Sequence, residues 1–286
     1  VVSGLARAAR RGILIKGGVY LEDARKLKVI ALDKTGTITE GKPKLVATEI
    51  LDQTVSEKVI LEWAGSLAAL SNHPVSKAIS TALAPAATVV DDFMSLPGRG
   101  VQGRIGNQDL ILGNHRLIEE RKLCGPAIEA RLVEHEAQGR TMTLLANESG
   151  VLAIFAVADT IKPHAREAIS TLHALGVKAV MLSGDNQATA QAVAAQANVD
   201  DARGNLLPDD KLKAIEALQK EFGPTAMTGD GINDAPALAR ADIGIAMGAA
   251  GTDTAMEAAD IVIMNDDLRR IPEAIRLSRT THRVLW

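Results

Sequence analysis

Cysteine is almost missing from this chain of 286 residues: Cys124 stands alone, which excludes an intrachain disulfide and fits a reducing compartment. Aromatic residues are nearly as scarce, with two Trp, one Tyr and three Phe, too few rings to stack exposed bases. Binding to nucleic acid is therefore not expected. No apolar run approaches the roughly 18–20 residues that span a bilayer. The longest, Val151 to Ala158, has the length of a buried strand. No apolar stretch ahead of a small-residue cleavage site marks a signal peptide either. By itself the chain is expected to be soluble. A formal net charge of -3 selects no partner. The histidines are dispersed and Cys124 has no companion at ligand spacing, so no transition-metal cluster is expected here.

What is present is an ordinary globular composition, 47% hydrophobic and 23% charged, long enough for one large or two medium domains. Several short apolar runs end abruptly in polar residues. Val29 to Leu32 stops at Asp33, Val177 to Leu182 at Ser183-Gly184-Asp185, and Thr225 to Met227 at Thr228-Gly229-Asp230. Ile243 to Ala246 and Ile261 to Met264 are two more. Unbroken apolar runs of this length read as strands buried on both faces, as in a parallel sheet. Helical patterns lie between them, opening at Pro163, near Gln187 and at Pro208. Strand-helix alternation predicts an α/β, doubly wound sheet whose site lies beyond the carboxyl ends of the strands. Asp33, Ser183 and Asp230 should therefore converge.

Residues 44–155 have a different texture. Helical patterns span Ser56 to Leu70 and Val75 to Leu83, and Gly-punctuated short runs follow from Pro97 to Leu112. Hairpin-like spacing predicts an α+β insert with an antiparallel sheet. The expected division is 1–43 and 156–286 for the parallel domain, 44–155 for the insert. Basic residues crowd both ends: Arg7, Arg10, Arg11 and Lys16, then Arg269, Arg270, Arg276, Arg279 and Arg283 before Trp286. Such clusters mark the cytoplasmic side of a membrane crossing, and Trp favours the interface. Helical patterns running to both ends suggest a piece of a larger protein.

Asp33-Lys34-Thr35-Gly36-Thr37 follows directly on a strand. A carboxylate there can attack phosphorus and form an acyl phosphate, while backbone N–H groups around Gly36 receive the phosphate. An isolated Asp before Gly would be an ordinary turn. Asp230 ends its strand in the same way, so Asp33 and Asp230 can share Mg²⁺, a hard cation that takes few carboxylates plus phosphate oxygens. Asp234 follows one helical turn later. Ser183 suits a phosphate oxygen, and Lys211, in the first turn of its helix, gains little from the helix dipole unless it serves an anion.

Taken together, these motifs resemble the cytosolic catalytic part of a P-type ATPase, a family within the haloacid-dehalogenase-like superfamily. Asp33 to Thr37 matches the phosphorylation motif; Asp159 to Pro163, Met181 to Asp185 and Thr228 to Pro236 match other core motifs. The resemblance implies a Rossmann-like domain split by a nucleotide-binding insert. It further implies ATP as substrate, Asp33 as phosphate acceptor, Mg²⁺ on Asp33, Asp230 and the Thr35 carbonyl, and Ser183, Lys211 and Asp234 as catalytic partners. Related phosphatases carry a second Asp two residues after the nucleophile; here Thr35 has no carboxylate to activate water, so the acyl phosphate should persist.

Ser71-Asn72-His73-Pro74-Val75 resembles the Ser-x-His-Pro motif of heavy-metal-transporting members, in which the histidine contacts adenine. Gly98, Gly100, Gly113 and Asn114 resemble their nucleotide loops. Ala68 departs from the pattern, because relatives carry a glutamate there facing the adenine amino group; a tighter-binding Ala68→Glu is the expectation. Asn72 also replaces a common glutamate. Both departures lean the transported cation towards Zn²⁺, Cd²⁺ or Co²⁺ rather than Cu⁺. The resemblance implies transmembrane and actuator domains elsewhere in the polypeptide. A soluble phosphatase of the same fold and a non-catalytic nucleotide sensor are the alternatives, disfavoured by Thr35 and by the Asp33–Asp230 pair.

Overall fold

The computed structural model describes residues 2–229, 234–248 and 257–285. Asp230 lies outside the described residues. The chain divides into two compact units, Val1–Gly41 with Ile161–Trp286, and Lys42–Thr160.

The first unit is built on a seven-stranded sheet. In spatial order its strands are Ile13–Ile15, Ile261–Ile263, Ile243–Met247, Thr225–Gly229, Val29–Asp33, Lys178–Leu182 and Asp201–Arg203. All neighbours run parallel except the first pair. Every residue of Val29–Asp33 is buried, because each successive side chain points into one of two cores. Ile30 and Leu32 enter a cluster with Ile169, Leu172 and Ile275; Val29 and Ala31 enter another with Ile215, Leu218 and Leu238. Helices therefore cover both faces. Ala165–Ala174, Gln187–Ala197 and Arg270–Leu285 supply one layer, and Pro208–Phe222 and Ala235–Arg240 the other.

The second unit is a six-stranded antiparallel sheet in the order Lys44–Ile50, Gly150–Ala158, Thr141–Asn147, Gln108–Gly113, Gly100–Ile105 and Asp91–Leu96. Its central strands alternate between two cores. Phe155 and Val157 face the helices Glu57–Ala69 and Pro74–Leu83, while Ile154 and Ala156 face Ile118 and Leu132 of the helices His115–Glu120 and Pro126–Glu136.

Two expectations need correction. A division after 155 would cut the strand Gly150–Ala158, which pairs on one side with Thr141–Asn147 and on the other with Lys44–Ile50. The unit ends at Thr160, where the ladder is finished. Ala68, expected to face adenine, is fully buried in the apolar cluster with Ile60, Ala64 and Leu67. A glutamate there would overfill a packed core and strip its own charge of water. Ala68→Glu is therefore expected to lower the melting temperature of this unit without tightening ATP binding. A variant that melts no lower and binds ATP more tightly would reinstate the adenine-facing position.

Candidate active site

Three adjacent parallel strands bring their carboxyl ends together. Leu32 pairs in register with Thr228 and Asp33 with Leu182, so Asp33 stands between the ends of Thr225–Gly229 and Lys178–Leu182. At the same level, Ser183 is one residue beyond its strand. Asp33 is only 7% exposed, Lys211 9% and Asp234 1%, and each carries an ionisable side chain. That burial is tolerated because they are neighbours: Lys211 Nζ donates to Asp33 Oδ1 at 2.5 Å and to Asp234 Oδ1 at 2.8 Å. Burial pushes the Lys211 ammonium towards losing its proton, but Asp33 and Asp234 outweigh it and hold the pKa above the ordinary lysine value.

Local sequence explains how each group reaches this spot. Pro208 starts the helix Pro208–Phe222, and Asp210 accepts from the Leu207 N–H at 3.1 Å, fixing the turn that carries Lys211. Gly229 lets Asp234 come close, since a β-carbon at that glycine would lie 2.5 Å from Asp234 Oδ2. After Asp33 the chain makes a tight turn, closed by the Thr39 N–H on the Lys34 carbonyl at 3.0 Å. Gly36 adopts φ 76° within it, a conformation that favours glycine.

The structure adds two cations whose positions were not foreseen. Lys34 forms an ion pair with Asp185, and the Asp185 N–H donates to Ser183 Oγ at 3.1 Å. Ser183 thus belongs to a turn tied to the Asp33 loop through Lys34. Lys162, only 9% exposed, donates to the Gly36 carbonyl at 2.6 Å and to Asp266 Oδ1 at 2.8 Å. A lysine directly before Pro163, in a motif already singled out, was the available signal for this clamp.

The donor set suits Mg²⁺ and phosphate. Asp33, Asp234 and main-chain carbonyls are hard oxygen donors. Two carboxylates against the single Lys211 leave a negative surplus. Among the described residues, two buried hydroxyls, Thr37 Oγ1 and Thr228 Oγ1, find no hydrogen-bond partner, as expected of groups held for a polar ligand. A cavity of about 340 Å³ among Arg7, Arg11, Arg269 and Arg276 lies elsewhere on this unit.

In the insert, four of the six predicted nucleotide residues share one corner. Gly100 pairs with Gly113 across adjacent strands, and Asn114 Nδ2 donates to the Gly98 carbonyl at 2.9 Å. A β-carbon on Gly100 would lie 2.3 Å from the Leu112 carbonyl oxygen, so close backbone approach alone already requires glycine. His73 and Pro74 begin a helix instead. His73 is exposed, and its Nδ1 accepts from the Val75 N–H at 3.3 Å, capping Pro74–Leu83.

Cys124 is not isolated, contrary to expectation. Its Sγ lies 3.4 Å from His115 Nε2 and 3.2 Å from Glu129 Oε1. Burial first, then Glu129 and Glu119, push its thiol pKa up to about 12. Spacing along the chain hid the cluster, because a short helix and loop, rather than a ligand motif, fold these residues together.

A family model for haloacid dehalogenase-like hydrolases matches residues 27–242. A probable cadmium-transporting ATPase of Staphylococcus aureus (strain MRSA252) is 42% identical over 100% of this chain and 40% of its own length. The copper-exporting P-type ATPase of Bacillus subtilis (strain 168) is 41% identical, over 98% of this chain and 35% of its own length. Among solved structures, the catalytic domain of the CPx-ATPase CopB-B, studied for conformational changes upon nucleotide binding, aligns with a TM-score of 0.73. The identity there is 26%, covering 95% of this chain and 98% of that one. The chain spans about 40% of the length of the curated cadmium relative. Among the described residues no helix is long and apolar enough to cross a membrane.

Proposed function

The chain belongs to the haloacid dehalogenase-like hydrolases, and from that premise we propose that it is the ATP-binding, autophosphorylating catalytic part of a heavy-metal-exporting P-type ATPase. The observation that carries this reading is the buried Asp33–Lys211–Asp234 cluster at the ends of parallel strands.

In the proposed reaction an Asp33 carboxylate oxygen attacks the γ-phosphorus of ATP. A phosphorus–oxygen bond forms to Asp33 as the bond to the bridging oxygen breaks, and ADP leaves. Lys211 compensates charge on the transferred oxygens and keeps Asp33 and Asp234 from repelling each other. Lys34 and Lys162 hold the acceptor loop through Asp185 and the Gly36 carbonyl. Thr37, Thr228 and Ser183 offer hydroxyls for phosphate oxygens. Asp33, the Thr35 carbonyl and Asp230 would hold Mg²⁺, which supplies further neutralisation of phosphate charge when bound. Thr35 offers no carboxylate to activate water, so the acyl phosphate outlives its formation and can drive a conformational step.

We place the adenine at His73 and Pro74, with Gly98, Gly100, Gly113 and Asn114 completing the nucleotide site. His73→Ala would confuse two effects, because His73 also caps a helix. His73→Asn keeps a good cap and is expected to weaken ATP binding at least roughly tenfold, the effect of losing about 1.4 kcal/mol. Calorimetric titration of the chain with ATP measures it; unchanged affinity would move the adenine elsewhere.

For the cargo we propose Zn²⁺, Cd²⁺ or Co²⁺, expelled by transmembrane helices in concert with an actuator domain of the same polypeptide. The cadmium and copper relatives are almost equally similar, so this choice rests on Asn72 and Ala68. The catalytic part would then face the cytoplasm at a bacterial plasma membrane. Given Mg²⁺ and ATP labelled at the γ-phosphate, the chain is expected to acquire an acid-stable, hydroxylamine-labile label. Release of inorganic phosphate without any such label would favour a phosphatase.

A further inference from the structure

His115, Cys124 and Glu129 have no part in the proposed phosphoryl transfer, yet their ligand atoms all lie within 4.8 Å of one another. His115 opens the helix His115–Glu120, Cys124 lies in the loop that follows, and Glu129 sits in the first turn of Pro126–Glu136. The frame is fixed locally. Asn114 Oδ1 accepts the Leu117 N–H at 3.0 Å, the Leu123 N–H closes on the Ile118 carbonyl at 3.0 Å, and Lys122 takes φ 57° to turn the loop.

We propose that His115 Nε2, Cys124 Sγ and Glu129 Oε1 form a binding site for a soft divalent cation of the Zn²⁺ or Cd²⁺ type. Tetrahedral zinc with bonds of about 2.3 Å to sulfur and about 2.0–2.1 Å to nitrogen or oxygen sets ligand atoms roughly 3.3–3.6 Å apart. The observed edges are 3.4 Å from sulfur to nitrogen, 3.2 Å from sulfur to oxygen and 2.9 Å from nitrogen to oxygen. Shifts of a few tenths of an ångström suffice to seat the ion. One thiolate with imidazole and carboxylate is a set that selects zinc-like ions over Mg²⁺, which takes oxygen donors. The surroundings are also anionic, with Glu119 3.8 Å from His115 Nε2 and Glu136 4.0 Å from His115 Nδ1. Glu136 lies beyond hydrogen-bond reach of the other imidazole nitrogen and adds negative charge behind it. Coordination exchanges the thiol proton for the cation, and that proton passes to solvent. All three side chains are partly exposed, so an ion can reach them from solvent.

The alternative is a hydrogen-bond network alone, and cadmium titration separates the two. Cys124 is the single cysteine, so any ultraviolet sulfur-to-cadmium charge-transfer band must come from it. In the presence of excess Mg²⁺, the 286-residue chain should bind one equivalent of Cd²⁺ with that band, and Cys124→Ser should abolish it. A lone surface thiol would also give a band, so the deciding variants are His115→Gln and Glu129→Gln. Each should weaken Cd²⁺ at least roughly tenfold, as loss of a ligand does. Unchanged affinity in both variants, or no band in the parent chain, overturns the proposal. Should either variant fold poorly, X-ray absorption of the cadmium-loaded parent must show one sulfur with nitrogen and oxygen neighbours; an all-oxygen shell would overturn it equally. None of these readouts depends on Asp33 or on ATP.

Discussion

On the proposed reaction, replacing Asp33 by asparagine should reduce phosphoenzyme formation and ATP turnover to background. That is a loss of at least roughly 10³-fold, the scale seen when a nucleophile is removed from a cooperating site. An amide cannot accept the phosphoryl group at a useful rate. The fold should survive, because Lys211 keeps its 2.8 Å hydrogen bond to Asp234 and one buried negative charge is removed. ATP affinity should be unchanged, since the proposed adenine residues lie in the other unit. Residual turnover with intact binding would show that the acceptor is another group.

Lys211→Met is expected to damage both stability and rate. The substitution leaves Asp33 and Asp234, 7% and 1% exposed, without their shared cation. Removing one partner from a buried ion pair costs about 3–5 kcal/mol. Loss of a charge-stabilising donor should also slow phosphoryl transfer by about 10²–10³-fold. The two effects come apart in a double variant. Adding Asp33→Asn to Lys211→Met should restore part of the stability, because a buried negative charge disappears, while leaving phosphorylation at zero. The pH dependence has a definite sign. With its pKa raised on folding, Lys211 contributes stability in full below the free lysine value, and loses it only as pH rises through the raised one. The deficit of Lys211→Met should therefore be constant across the neutral range. Calorimetric scans of both variants measure this; equal melting of Lys211→Met and the parent chain would mean that the carboxylates are not held as described.

The parallel core was legible because its strands bury both faces and so read as unbroken apolar runs ending in Asp33, Ser183 and Thr228. Convergence of those ends follows from parallel pairing, and it brought Lys211 and Asp234 with it. Edge strands were harder to read. Ile13–Ile15 and Asp201–Arg203 have three residues each and lie at the margins of the sheet. Lys44–Ile50 and Asp91–Leu96 flank the antiparallel sheet with half-exposed side chains. Such strands are held by backbone pairing, which leaves little hydrophobic pattern. Ala68 was misplaced because a family pattern specifies the residue type at a position, whereas packing decides which way a short side chain points. The Lys34–Asp185 pair spans about 150 positions and the cysteine cluster depends on a turn at Lys122. Neither leaves a spacing signature.

The central claim is that the Asp33 carboxylate itself carries the phosphate. Reduction with borohydride converts an aspartyl phosphate to homoserine and leaves free carboxylates untouched. After incubation with Mg²⁺ and ATP, borohydride treatment and proteolysis, mass spectrometry of the peptide containing Asp33 should find homoserine at that position only when ATP was present. Homoserine at another aspartate, or an unmodified Asp33 in a chain that has taken up the label, would contradict the account.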